Sequence, residues 1–196
     1  MNFLAHLYLS GNDKEIRFGN FMADGIRGKN LVRFSPKIQY GIELHRAIDT
    51  FTDQHKVFRK HCKLLSPSHG HYSRVIMDVV YDHFLASNWE EFHNQSLSDF
   101  AMQYYCEAKN KQDIFPDKIQ RMISAMEKQN WLVQYQSISG LKNILYHLSK
   151  RTAFHSNFSI AVDTVENERE EMLPEFFIFF EEIKRYCDNN TQFNSP

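Results

Sequence analysis

Glycine and proline are scarce in this chain, seven and five in 196 residues. A turn-rich β fold needs more of both, so long helices are the expectation. Cysteine is scarcer still. Cys62, Cys106 and Cys187 stand far apart and are odd in number, with neither a zinc spacing nor a disulfide framework. That usage fits a reducing, cytoplasmic setting. Neither sign of charge is in excess: the formal net charge is −1, which argues against a globally basic nucleic-acid binder. No apolar run approaches the roughly 20 residues that span a bilayer. The opening stretch "MNFLAHLYLSGNDKE" is apolar but short, lacks a basic leader and is interrupted by His6, so it reads as a helix and not as a signal peptide.

What is present is ordinary for a soluble globular protein: 42% hydrophobic and 24% charged residues. Apolar residues recur mostly with helical period, and period-two alternation is rare. Helices are expected over about 1–10 and 13–26, the second closed by Gly28. Ser35 as N-cap and Pro36 at the first helical position open a third. "SPSHGH" reads as a break, followed by a helix from Tyr72 to Ala86. Ser87 or Asn88 then caps a helix beginning at "WEEF" that continues into "SLSDFAMQYYCEAKNK". Two amphipathic helices follow, in "DIFPDKIQRMISAMEKQN" and "SISGLKNILYHLSKRT". A long last one covers 162–187, with an interruption expected at Pro174 and the aromatic run "FFIFF" read as core. The expectation is one all-α domain over residues 1–188 with a frayed tail at 189–196.

The polar residues of the first half form a pattern. Residues four apart on a helix lie nearly above one another. Asn2 and His6 are so spaced, as are Asn20 and Asp24, His45 and Asp49, and Asp78 and Asp82. Asp53 extends the third column and His83 follows the fourth. The Asp78/Asp82 pair lies among Val75, Ile76, Val79, Val80, Phe84 and Leu85, which leave little solvent-facing arc. Stacked carboxylates on a buried helix cost several kcal/mol unless they are paired or bound to metal. A divalent cation relieves their repulsion. Histidine nitrogen beside carboxylate oxygen suits Mn²⁺, Fe²⁺ or Zn²⁺, and the carboxylate excess also admits Mg²⁺. Each pair has a plainer reading. A single His/Asp pair is more often a surface hydrogen bond, Asp13, Asp53 and Asp99 can be caps, and Asp78 and Asp82 can pair with Arg17, Arg27 or Arg46. Four pairs on consecutive helices favour a shared metal site.

In these residues the sequence resembles the bacterial acyl carrier protein phosphodiesterases. The matching motifs are "MNFLAHLYLS", "GNFMADGIRG", "GIELHRAIDTFTDQH" and "RVIMDVVYDHFLASNW", in order and spacing over about residues 1–89. A weaker match follows in "NWLVQY" with "LSKRT" and in the aromatic last helix. Tyr8 stands where the family commonly has a second histidine, and Gly25 where an aromatic is common.

The resemblance implies a single-domain helical bundle, HD-domain-like, although the usual adjacent His-Asp order is absent. It implies removal of the 4′-phosphopantetheine arm from holo-acyl carrier protein with the help of a divalent metal, Mn²⁺ first and Mg²⁺ or Fe²⁺ as alternatives. On that reading Asp24, His45, Asp49 and Asp78 are the expected metal ligands, with His6 and Asp82 next. Asp24, His45, Arg46 and Asp78 would carry the chemistry. Asn2 and Asn20 would support ligands or donate to phosphate, and Arg27 or Arg46 would hold a phosphate oxygen. His45, His55 or His83 would protonate the leaving oxygen, and the sequence does not choose among them. The partner would be a small acidic protein, met by a basic patch of Lys56, Arg59, Lys60 and Lys63. No nucleic acid or membrane partner is expected. The competing readings are an HD-like phosphohydrolase acting on a nucleotide or another small phosphodiester, and a non-catalytic helical binding module.

Overall fold

The computed structural model describes residues 1–28, 30–150 and 157–191. Among them the fold is all-α, a single domain without strands. The expected helix end at Arg151–Thr152 and residues 192–196 of the expected tail lie outside the described residues.

The first three helices build the site, and each starts on a local cap. In α1 (Phe3–Leu9) Asn2 accepts from the Phe3 N–H. In α2 (Lys14–Met22) Asp13 accepts from the N–H groups of Glu15 and Ile16. In α3 (Pro36–Gln54) Ser35 accepts from the Ile38 N–H and Pro36 fills the first turn, where its missing N–H costs nothing. α2 stops at Met22 and gives way to a 3-10 turn at Ala23–Gly25.

α2 and α3 cross with their backbones in contact. A Cβ on Gly19 would run into the Ile38 carbonyl oxygen, and one on Gly41 into that of Ile16. The two glycines therefore face each other across the crossing. That closeness sets Asn20 and Asp24 beside His45 and Asp49.

α4 (Lys56–His69) holds the first departure from the sequence reading. It passes through Ser66, Pro67 and Ser68 without breaking, and ends at Gly70, whose φ of 53° reverses the chain. Pro67 gives up its own N–H, yet the Gly70 N–H still reaches the Ser66 carbonyl. α5 (Ser73–Ser87) is the central helix, with Ile76, Met77, Val79, Val80, Tyr81, Phe84, Leu85 and Ala86 fully buried.

"WEEF" is a 3-10 turn at Trp89–Glu91 and does not run into α6 (Leu97–Lys109), which has its own N-cap at Ser96. Asn88 takes the N-cap position of that turn, as expected, but its side chain bonds back to the Phe84 carbonyl and closes α5. Trp89 is buried and its indole N–H ties back to the Gln95 carbonyl.

α7 (Asp117–Lys128), α8 (Trp131–Gln134) and α9 (Ile138–Ser149) follow. The last segment divides at Glu168 and not at Pro174, into α10 (Ala161–Asn167) and α11 (Arg169–Thr191). The run "FFIFF" on α11 seats Phe176, Phe179 and Phe180 in the core, where the first two meet Tyr81 at ring-centroid distances of 5.1 Å. None of the described helices is long and apolar enough to cross a membrane.

Because Gly41 meets α2 backbone, Gly41→Ala should lower the denaturation midpoint by about 1–3 kcal/mol of stability despite alanine's better helix propensity. An unchanged or raised midpoint in chemical denaturation would refute the close crossing.

Candidate metal centre

The site is organised by a neutral amide. Asn20 is fully buried on α2. Its Nδ2 donates to the Ser10 Oγ at 2.9 Å and the His6 carbonyl at 3.2 Å, which fixes which end of the amide is oxygen. Oδ1 then faces two imidazoles and accepts from His6 Nδ1 at 2.8 Å and His45 Nδ1 at 3.1 Å. The two rings stack with centroids 4.0 Å apart. With both Nδ1 atoms protonated toward Asn20, both Nε2 atoms point the other way.

There they meet carboxylates. His6 Nε2 lies 3.2 Å from Asp49 Oδ1. His45 Nε2 lies 3.2 Å from Asp49 Oδ2 and 3.2 Å from Asp24 Oδ1. Burial, with the His45 charge beside it, lowers the His6 pKa to about 4, so this ring is neutral. Its Nε2 is then a lone pair aimed at a carboxylate, buried and without a hydrogen-bond donor. His45 differs. Burial opposes its charge, but hydrogen bonds to Asp24 and Asp49 outweigh burial and raise its pKa to about 9. Asp49 is held ionised below the usual carboxylate range: burial opposes this, and the hydrogen bond from His45, with the Met1 ammonium nearby, overcomes it. Asp24 is lowered chiefly by its bond to His45. A proton on His45 and the Met1 ammonium, 3.9 Å from Asp49 Oδ1, thus supply the positive charge in a cluster of acceptors. A divalent cation would serve all of them, and ligand atoms of His6, His45 and Asp49 lie within 4.8 Å of one another. The donor set fits a metal of mixed nitrogen and oxygen preference.

The remaining expected site residues are distributed unequally. Asp78 lines the same cavity, where its Oδ1 accepts from the Met1 ammonium at 2.7 Å, and burial raises its pKa. Asp82, one turn on, faces away from the histidines. It accepts from the backbone N–H of Leu4 at 2.7 Å, Ala5 at 3.2 Å and Asn2 at 3.3 Å. It therefore clamps the start of α1, while full burial pushes its pKa up to about 7 against those donors. Asn2 caps α1 and lines the cavity. Arg46 reaches the Gly28 carbonyl on the surface at 2.9 Å. Arg27 is exposed and, like Arg46, is not among the cavity's lining residues. His55 caps α4 and meets Glu182, and His83 meets the Tyr135 carbonyl. Tyr8 turns toward Trp89 and donates to the Phe92 carbonyl. At Gly25 a side chain would meet Ile119 of α7.

The cavity around the cluster measures about 630 Å³. It brings in residues that the sequence reading passed over. Thr52, one turn beyond Asp49, has a buried hydroxyl without a partner. Arg74 stands at the rim, held by Asp53 at 2.9 Å. It is four residues before Asp78, so the same column rule would have found it. His71, Trp131, Ile144 and Leu148 also line the cavity, and no periodicity marked them. Of the expected basic patch, Lys60 is engaged by Glu175 at 2.6 Å and the Arg59 Nε by the Asp53 carbonyl at 2.8 Å. Arg59 and Lys63 share a shallow hollow of about 260 Å³ with Arg74. Lys56 is exposed.

A family model described as "Acyl carrier protein phosphodiesterase" matches residues 1–183. An acyl carrier protein phosphodiesterase of Photorhabdus laumondii is 27% identical over 197 residues, covering 100% of both chains. One from Serratia proteamaculans is 27% identical over 93% of this chain and 95% of its own. One from Escherichia coli is 32% identical over 77% of this chain and 79% of its own. No solved structure gives a significant match. The helical chain with its histidine–carboxylate cavity is thus a hydrolase acting on a phosphodiester. It belongs to the acyl carrier protein phosphodiesterase family.

Metal uptake must displace the His45 proton. Below its pKa of about 9 the ring is protonated, so Mn²⁺ affinity should rise with pH and level off above about 9. Near pH 7.5 calorimetry in buffers of different ionisation heat should show about one proton released per site. In the metal-free protein the same shift stabilises the fold fully below 6.5, the ordinary imidazole value, and that contribution is lost as pH rises through about 9. Affinity that is flat from pH 6 to 9 would contradict this arrangement.

Proposed function

We propose that this protein hydrolyses the phosphodiester joining 4′-phosphopantetheine to a serine of holo-acyl carrier protein, releasing apo-carrier and 4′-phosphopantetheine. The reaction uses a divalent metal, Mn²⁺ first. The observation that carries the metal is the convergence of ligand atoms of His6, His45 and Asp49 within 4.8 Å of one another, with His6 Nε2 buried and lacking a hydrogen-bond partner. The name that the relatives share supports the substrate. The architecture is read as HD-like and the setting as cytoplasmic.

His6, His45 and Asp49 are the central ligands, joined by Asp24, with Asp78 at the adjoining wall. A divalent ion held by these residues would supply charge neutralisation for the phosphate and activation of water. Asn20 keeps both imidazole tautomers correct. Asp24, the most exposed carboxylate of the cluster, accepts a hydrogen bond from the attacking water and orients it. Arg74 takes the phosphate-holding role expected of Arg27 or Arg46, because it lines the cavity and they do not. Outside the cluster, His71 is the described histidine that lines the cavity, and it protonates the departing serine oxygen.

The carrier docks beside this mouth. Arg59, Lys63 and Arg74 form a cationic hollow, and Arg74 also lines the cavity. This suits an acidic partner and would speed its encounter.

Mass spectrometry of holo-carrier incubated with protein and Mn²⁺ should show loss of the phosphopantetheine mass, and Asp49→Ala should abolish it. Turnover of nucleotide diesters with none of holo-carrier would assign the site to a small phosphodiester instead. Copurification without any stoichiometric metal, together with activity in chelator, would exclude the metal. Reversing Arg59 and Lys63 to glutamate should raise KM for the carrier about tenfold at low salt with kcat little changed. An unchanged KM and salt dependence would remove the hollow as the docking face.

A further inference from the structure

The cavity has two chemically different ends. The cluster of His6, His45 and Asp49 occupies one, and Trp131, Ile144 and Leu148, from α8 and α9, supply an apolar wall to the other. Asn130, just before Trp131, has φ 48°, ψ 46°, a left-handed conformation that costs about 1 kcal/mol for a residue with a Cβ. It is the only non-glycine residue of positive φ among the described residues. Gly140 of α9 lies so close to α8 that a Cβ there would enter the Gln134 backbone. The Trp131 ring meets Phe3 edge-on at 6.2 Å, which connects it to the helix that carries His6.

Behind the wall lies a second cavity of about 260 Å³, reached between α7 and α9 and lined by Ala125, Gln129 and Asn143. Trp131 and Ile144 line both cavities, so they are the partition between them.

We propose that Trp131 and Ile144 form the end wall that reads the far end of the substrate's arm, and that this partition sets how long a group on the arm's thiol the site accepts. The assignment rests on the phosphopantetheine reading of the site. With the phosphate at the charged cluster, the arm must run away from it, and the apolar end of the same cavity is where its thiol arrives. A short or absent substituent ends against the indole. A long acyl thioester presses on it. Removing the indole joins the two cavities and gives the longer chain room. Trp131 and Ile144 are specificity residues and touch no reacting atom.

The test compares kcat/KM for holo-carrier and for carrier bearing a long saturated acyl thioester, in wild type and in Trp131→Ala, with Mn²⁺ in both. Trp131→Ala should shift the acyl-to-holo ratio upward by about tenfold or more, the discrimination that a few methylenes of apolar contact give. Trp131→Phe, which keeps an aromatic partition, should hold the ratio near the wild-type value. If Trp131→Ala fails to fold, as judged by its melting curve, Ile144→Ala thins the same partition and must shift the ratio in the same direction. Wild-type turnover of both carriers, with a ratio unmoved in the folded variant, overturns the assignment while leaving the function intact. Absence of wild-type turnover on either carrier removes the phosphopantetheine function and the wall's occupant with it.

Discussion

The site depends on one buried amide, because Asn20 gives direction to everything around it. A histidine can present either nitrogen, and two histidines stacked face to face would ordinarily repel as cations or compete for one acceptor. Asn20 resolves both problems by offering a single oxygen to both Nδ1 atoms, with its own orientation fixed by Ser10 and the α1 backbone. The constraint works only if α1, α2 and α3 meet within hydrogen-bond distance. Gly19 and Gly41 permit that meeting by removing the side chains that would hold α2 and α3 apart. Stability and function are thus coupled at the crossing. Glycine is a poor helix former, yet here the absence of a Cβ admits the neighbouring backbone.

Charge explains the next layer. Asp78 and Asp82 sit one turn apart on the most buried helix and do different work. Asp82 receives three N–H groups at the start of α1, a site that combines unsatisfied donors with the positive end of a helix dipole. That clamp sets the height of His6 relative to His45. Asp78 faces the cavity and takes the Met1 ammonium. The two carboxylates are satisfied by different hydrogen-bond donors, and the Met1 ammonium offsets the charge of both.

Much of this was legible from residue spacing, and the failures have physical reasons. His45 and Asp49 lie four apart on a real α-helix, so the column rule placed them on one face. Asn20 and Asp24 also proved close in space, but through a different geometry: α2 has ended by Met22 and Asp24 rides on the 3-10 turn after it. Asp82 was read as a ligand because its partner is backbone, and backbone leaves no signature in sequence. Arg46 shares α3 with His45 but points one residue, or about 100°, around the helix, which is enough to leave the cavity. "SPSHGH" looked like a break because proline and glycine are both breakers on average, and only Gly70 acts as one. Trp131 sits on a four-residue helix, too short for any periodicity to register.

Chemistry and shape come from different parts of the chain. The charged cluster is drawn from α1, α2, α3 and the turn after α2, where the helices meet through backbone and glycine, and little variation is tolerated at such contacts. The opposite wall is drawn from α8 and α9, where Trp131 meets Phe3 of α1 edge-on. Side-chain contacts can be resized without moving a backbone. A change in the wall can therefore alter what fits while leaving the imidazoles, the amide and the carboxylates in register. This division follows from how the helices pack: the α2–α3 crossing fixes the reacting groups, and the side chains that α8 and α9 present fix the room beside them.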